Sequence, residues 1–385
     1  MHHSVVSRVK PRPEGGFAHS FKDKVLTGIG ATADHFLRTI LSTRVLVSNI
    51  PAIPKVVQAD YRQKWEFYRN PDFITKPETF FAKPEWIEPV IRPADPMPLQ
   101  AHEAIFEDVI FPSEFEPLNP AYHASEVYPA KQAPAIARFI RHKTGIHGGK
   151  PEKRPTLIVV HGYVLDGYNF NAQLFEVAKF FRLGFNILMY TMPYHGPRKA
   201  PGARFSGDGF MFFDVARIAE NVRWSIHDLT RYIDFLKKRS KAPVGMMGFS
   251  LGGYHTALMA SLDKRLAFAV PVVPVITLFN VILQWQPSAA VIEGFLKLLK
   301  LDKNDINQLL LPVSPLARPP VIDHERLLII AGTADRMAHP DHAHSLWHHW
   351  KHPKIYWFPG NHLVHLEKTH YMRQVVGFLR ELGLF

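Results

Sequence analysis

The chain has no cysteine, which excludes disulfides, thiolate metal sites and a cysteine nucleophile and gives no sign of an oxidising compartment. Its start, "MHHSVVSRVKPRPEGG", lacks the apolar core of a secretory signal, so a cytoplasmic protein is expected. An uninterrupted membrane-length run is lacking too. The nearest approach, "LAFAVPVVPVITLFNVIL" (266–283), is broken by Pro271 and Pro274, which fits a buried strand followed by an apolar cover better than a span. No nucleic-acid-binding motif is present and the aromatics are not interleaved with basic runs, so no nucleic-acid partner is expected.

What is present begins with length and charge. A chain of 385 residues that is 46% hydrophobic can bury at least one large core. The net charge of +12 is divided into +6 over 1–70, −8 over 71–130 and +14 beyond. An acidic segment lying across the protein's own basic body accounts for this, and a peripheral membrane contact through the basic 1–70 arm is the competing reading. Residues 21–50 place Val25, Ile29, Phe36, Ile40 and Leu41 near helical spacing, which predicts a helix packed on the main body. Twelve prolines between 71 and 134 suit an extended wrapping segment.

Within the Pro-rich segment 103–111 reads as a strand, with 135–143 as another just beyond it, and from 156 the pattern becomes regular. Further strands are expected at 156–162, 185–193, 244–250, 267–273, 326–332 and 354–360. Helices are expected at 168–182, 214–238, 251–262, 339–350 and 367–382. Such alternation predicts an α/β fold, a mostly parallel central sheet with helices on both faces. In such folds ligands bind beyond the carboxyl ends of the strands.

At one of those ends stands "VGMMGFSLGGYH". Gly248-Phe249-Ser250-Leu251-Gly252 fits G-x-S-x-G where a strand turns into a helix, a sharp turn that aims the serine hydroxyl out of the sheet. About 0.05 matches to five such positions arise by chance in a chain of this composition, so the strand and helix around the motif carry much of its weight. A serine hydroxyl needs a base. Following the order Ser…Asp/Glu…His, the next strand ends offer Asp335 in "AGTADRMAHP" and His362 in "FPGNHLVH". His362 would take the Ser250 proton, and Asp335 would fix the imidazole tautomer and stabilise the imidazolium. His365 lies further from its strand, and Asp323 lies at the wrong end of the sheet. Asp335 has a second reading as a cap for the helix entered near Pro340. The oxyanion of an acyl-transfer intermediate would be met by the backbone N–H of Leu251 and that of Tyr163, in the loop "HGYVLDG". His161, Gly162 and Phe249, beside these groups, are candidate pocket residues.

"VVHGY", "GFSLGG", "AGTADRMAHP" and "FPGNH", in that order, resemble the α/β-hydrolase superfamily over roughly 100–385. The resemblance implies that 276–314, after the sixth strand, form a helical lid; 1–99, outside it, read from their spacing and prolines as a helical and Pro-rich wrapping extension. "YTMPYHGPRKAPG" is similar to a branch of the superfamily with a P-Y-x-G-x-R-K-P segment, which would put Tyr194, His195, Arg198 and Lys199 near the pocket mouth, where an acidic headgroup could be met. Solvent-facing loop charge is the plainer reading of those cations. His344, His348 and His352 have i,i+4 spacing but no accompanying carboxylate pattern, so no metal is expected.

The resulting expectation is a cofactor-free serine hydrolase that cleaves a carboxylic ester, with a hydrophobic acyl chain favoured, through an acyl-enzyme. Thioester cleavage or acyl transfer would use the same residues. A fold-only scaffold is the competitor from another class. The oligomeric state is not legible.

Overall fold

The structure, a computed structural model of the chain, describes residues 21–49, 61–99, 104–122, 133–143, 153–211, 214–283, 288–365 and 368–385. Nine strands form one sheet: β1 (Val90–Pro93), β2 (Ala104–Phe111), β3 (Ala135–His142), β4 (Thr156–Val160), β5 (Asn186–Tyr190), β6 (Val244–Phe249), β7 (Leu266–Val272), β8 (Leu328–Gly332) and β9 (Lys354–Phe358). Their order is β1-β2-β3-β5-β4-β6-β7-β8-β9. The last six in that order run parallel, and β1, β2 and β3 add antiparallel pairings at one side.

The helices used below are α1 (Phe21–Asn49), α2 (Tyr168–Leu174), α3 (Val177–Arg182), α4 (Val215–Arg239), α5 (Leu251–Ala260), α6 (Leu278–Leu283), α7 (Ser288–Leu298), α8 (Lys303–Leu309), α9 (Pro340–His349) and α10 (Lys368–Glu381). The predicted α/β architecture is the one the chain adopts. β4, β5, β6 and β8 are buried at every position, as apolar runs covered on both faces must be. Phe180, Phe181, Met372 and Phe378 of α3 and α10 pack on one face. The other face carries α4, α5 and α9.

Three details differ from the sequence reading. The helix expected over 168–182 is two, parted at Glu176, which is left-handed with φ 49°. β1 was not expected: its four residues are all exposed, so no alternation marks it, and Pro93 is tolerated because the strand is an edge. On α1, Phe36 is 68% exposed; the face turned inward carries Asp34, Leu37, Leu41 and Val45 instead. Val25 and Ile29 of the expected stripe have side chains outside the described residues.

Within 61–99 and 104–122, side chains such as Tyr68, Phe111 and Phe115 pack against α4. Tyr68, Phe80 and Phe115 are buried there, with Phe115 stacked on Trp224 at 5.2 Å. Acidic residues of β2 and the loop after it meet arginines of the body: Asp108 with Arg138 at 2.6 Å, Glu107 with Arg141 at 2.8 Å and Glu114 with Arg231 at 2.6 Å. The uneven charge of the sequence is thus partly satisfied within the fold. Of the basic segment 1–70, residues 1–20 and 50–60 lie outside the described residues. Among the described residues no helix is long and apolar enough to cross a membrane.

β4 is flanked by β5 on one side and β6 on the other. The chain leaves β4 toward β5 on one side and leaves β6 toward β7 on the other, and the crevice beyond the carboxyl ends of β4 and β6 is the switch point where such sheets bind ligands.

Candidate active site

Ser250 stands on that crevice as the N-cap of α5, with φ 56° and ψ −112°, a backbone strain that only a tightly held turn sustains. Its N–H donates to Val272 O at 2.9 Å, and its carbonyl accepts from Tyr254 N at 3.0 Å. The two motif glycines are required by contact. A Cβ on Gly252 would lie 2.1 Å from Val160 O, and one on Gly248 would lie 2.1 Å from Gly252 O. Any side chain would push α5 off the sheet and the serine out of the crevice.

The loops after β8 and β9 bring the two partners. His362 Nε2 lies 2.8 Å from Ser250 Oγ, and His362 Nδ1 lies 2.7 Å from Asp335 Oδ2. With a carboxylate on Nδ1, the proton belongs there, so Nε2 is left to accept from the serine hydroxyl. All three side chains are buried. Asp335 also caps a turn: its Oδ1 accepts from the N–H of Met337 and Ala338, both at 2.8 Å. The α9 N-cap is His339, so the helix-capping alternative for Asp335 does not hold. Burial disfavours the charged imidazole of His362, but the charge and hydrogen bond of Asp335, with the charge of Asp34, outweigh it and raise its pKa above the usual 6.5. Geometrically this is a proton relay from a hydroxyl to an imidazole held by a carboxylate.

Ser250 and His362 form part of the wall of a cavity of about 250 Å³. Tyr163, Phe249 and Leu251 line it as well, so the two residues expected to supply backbone donors stand on the same cavity as the hydroxyl. Val275, Leu278 and Val281, from the segment between β7 and β8, close another side. That segment carries α6, α7 and α8; positions 284–287 of the expected lid lie outside the described residues.

Other expected pocket residues lie elsewhere. His161 is buried against the backbone: Nδ1 bonds Gly162 O at 2.8 Å and Nε2 accepts from Met192 N at 3.1 Å. It ties the end of β4 to that of β5 and does not reach the cavity. Gly162 supports Phe249, whose ring a Cβ would meet at 3.0 Å. His195 is buried with its ring 4.9 Å from His161, and burial drives its pKa well below 6.5. Tyr194 accepts from Arg217 Nη2 at 3.0 Å. Arg198 is neither at the pocket mouth nor in solvent: at 1% exposure it bonds Asp228 Oδ2 at 2.7 Å and Thr191 O at 2.9 Å. Of the four residues placed near the mouth, only Lys199 is exposed. The sequence shows charge and aromatic rings in a loop and the long helix α4, but not that Asp228 of α4 draws the guanidinium inward.

The sequence reading missed Asp34 of α1. It is fully buried, and its Oδ2 accepts from the N–H of Arg336 at 3.1 Å and of His362 at 3.2 Å. An acid on the inward face of an amphipathic helix, spaced i,i+3 and i,i+7 from Leu37 and Leu41, was the available signal. Among the described residues there is no group of three or more His, Asp or Glu suited to a metal ion.

A family model described as serine hydrolase (FSH1) matches residues 152–373, more than half of the chain. An uncharacterized protein of Mycobacterium tuberculosis (strain CDC 1551) is 28% identical over 368 residues, covering 92% of this chain and 82% of that protein. Among solved structures, acetyl xylan esterase 1 from a Thermoanaerobacterium species is similar with a TM-score of 0.55 at 17% identity, over 84% of this chain and 94% of that one. An acetyl xylan esterase from a Paenibacillus species gives 0.53 at 15%, over 84% and 95%. At these identities the structural likeness is one of fold.

Proposed function

The chain belongs to the serine hydrolase (FSH1) family, and from that premise we propose that it cleaves carboxylic esters with an apolar acyl chain through an acyl-enzyme on Ser250. The observation that carries the reading is the unbroken relay of 2.8 Å from Ser250 Oγ to His362 Nε2 and 2.7 Å from His362 Nδ1 to Asp335 Oδ2, at the wall of a largely apolar cavity. Two proteins of similar fold are named acetyl xylan esterases, which accords with an ester substrate.

In this mechanism Ser250 Oγ attacks the acyl carbonyl while its proton passes to His362 Nε2. Asp335 keeps the imidazole oriented and offsets its charge. The carbonyl oxygen, now an oxyanion, is met by the N–H groups of Leu251 and Tyr163; losing one such donor typically costs on the order of 10²–10³ in rate. The tetrahedral intermediate collapses, the C–O bond to the alcohol breaks, and His362 returns its proton to the departing oxygen. Water then repeats the sequence on the acyl-enzyme, releasing the acid and restoring Ser250.

The test is labelling of the full-length protein by a fluorophosphonate, followed by turnover of a p-nitrophenyl ester and a p-nitroanilide bearing the same acyl group. Wild type should label, Ser250→Ala should not, and the ester should turn over faster. An unlabelled wild type removes the acyl-enzyme, and faster anilide cleavage would make the protein a peptidase.

A further inference from the structure

Helix α1 lies outside the residues that match the family, 152–373, yet it borders the cavity on which Ser250 opens. Leu37, Leu41 and Val45 of α1 are among the lining side chains. They follow one another at i,i+4 spacing and so form a continuous apolar ridge along one face of the helix. Leu41 and Val45 are 3% and 5% exposed. Leu278 and Val281 of α6 line the same cavity, so two helices outside the central sheet supply apolar side chains to the space beyond Ser250.

The helix is fastened at both ends of that ridge. Below Leu37, Asp34 Oδ2 accepts from the backbone N–H of His362 and Arg336, and Arg38 Nη1 donates to Arg336 O at 3.1 Å. Beside Leu41, Ser42 Oγ donates to Ser288 Oγ at 2.8 Å and accepts from Ser288 N at 2.9 Å. Past Val45, Arg204 Nη1 donates to Val47 O at 2.8 Å. Asp34 is buried, and among the described residues its Oδ1 has no partner, a cost that a helix serving only as surface cover would have no reason to bear.

We propose that α1 is the specificity wall of the active site: a linear acyl chain esterified to Ser250 lies along Leu37, Leu41 and Val45, and Asp34 seats that wall on the loop that holds His362. The inference rests on the Ser250 acyl-enzyme reading. Acyl length is then set by a helix outside the hydrolase core, and the same carboxylate that positions the wall holds the backbone of the general base. Asp34 is a positioning residue; it touches His362 through the main chain only.

The experiment measures kcat/KM of the full-length protein across p-nitrophenyl esters from acetyl to dodecanoyl, for wild type, Leu37→Trp, Leu41→Trp, Leu41→Ala and the exposed control Phe36→Ala. Excluding a methylene from an apolar site costs roughly fourfold, so blocking two or three carbons should lower the long-to-short ratio by about 15- to 60-fold in the Trp variants. Leu41→Ala should move the optimum toward longer chains, and Phe36→Ala should match wild type. Melting curves confirm that each variant is folded, and Leu37→Trp, at a half-buried site, serves if Leu41→Trp is not. A length profile shared by wild type and the folded Leu37 and Leu41 variants overturns the wall. A wild type that neither labels with fluorophosphonate nor hydrolyses any ester overturns the acyl-enzyme reading itself.

Discussion

Two buried polar clusters lie beyond the carboxyl ends of neighbouring strands in this sheet. One joins Ser250, His362, Asp335 and Asp34; the other joins His161, His195, Arg198 and Asp228. Both contain an ion pair or its equivalent at 2.7 Å. The first reaches the apolar cavity through Ser250 and His362, and His161, His195, Arg198 and Asp228 are not among the residues lining it. They also differ in electrostatics. Against the cost of burial, Asp335 and Asp34 raise the pKa of His362, whereas burial drives that of His195 well below 6.5. Around Arg198 and Asp228, burial opposes each charge, but mutual attraction prevails, raising the pKa of one and lowering that of the other. Perturbed titration alone therefore does not mark a functional group; it does so where a reactive atom and room for a substrate accompany it.

The comparison breaks most sharply at Ser250→Ala. Turnover should fall by about 10⁴ or more, with the melting temperature close to that of wild type. Single-turnover assays with a p-nitrophenyl ester and a thermal melt check both halves, and collapse of the fold would reassign the serine to structure. Asp335→Asn comes next: loss of the proper tautomer should cost up to about 10⁴ in kcat. Full activity of that variant would put the acid elsewhere. The second cluster should respond in the opposite way. Arg198→Met leaves Asp228 buried without its guanidinium, with the Tyr190 hydroxyl and His227 still beside it, which should cost up to about 3–5 kcal/mol of stability with little change in kcat per folded molecule. Urea unfolding and active-site titration measure the two; a kcat loss in a folded Arg198→Met would return Arg198 to the site.

The same contrast explains what the sequence could show. Continuous apolar runs such as "TLIVV" and "NILMY" belong to strands covered on both faces, so the parallel core was legible from local pattern. Ser250, Asp335 and His362 each follow a strand directly, and strand ends in such a sheet share one edge, so their meeting needed no long-range knowledge. His195 and Arg198 also follow a strand, but their burial is decided by α4, which supplies Asp228 from 30 residues further along. Asp34 was hidden more thoroughly, since its partners are backbone N–H groups 302 and 328 residues away. Long-range contacts to main chain leave no residue-type signature.

The smallest effect is also the most discriminating. Asp34→Asn keeps an acceptor for the N–H groups of His362 and Arg336 while removing the charge. Besides Asp34, the titratable groups acting on His362 are Asp335 on the loop after β8, His365 on its own loop and His342 on α9. Activity requires the neutral imidazole, and a carboxylate stabilises the charged one. Removing Asp34's charge should therefore shift the acid limb of kcat/KM to lower pH, with the plateau above it nearly unchanged. Stability moves the other way. With its folded pKa raised, His362 contributes stability that is full below its unfolded value near 6.5 and is lost as pH rises through the folded value, so Asp34→Asn should reduce stability mainly on the acid side. An acid limb that stays in place while KM for long acyl chains rises would mean that Asp34 is already protonated there, as its raised pKa from burial allows, and acts on the site only by seating α1.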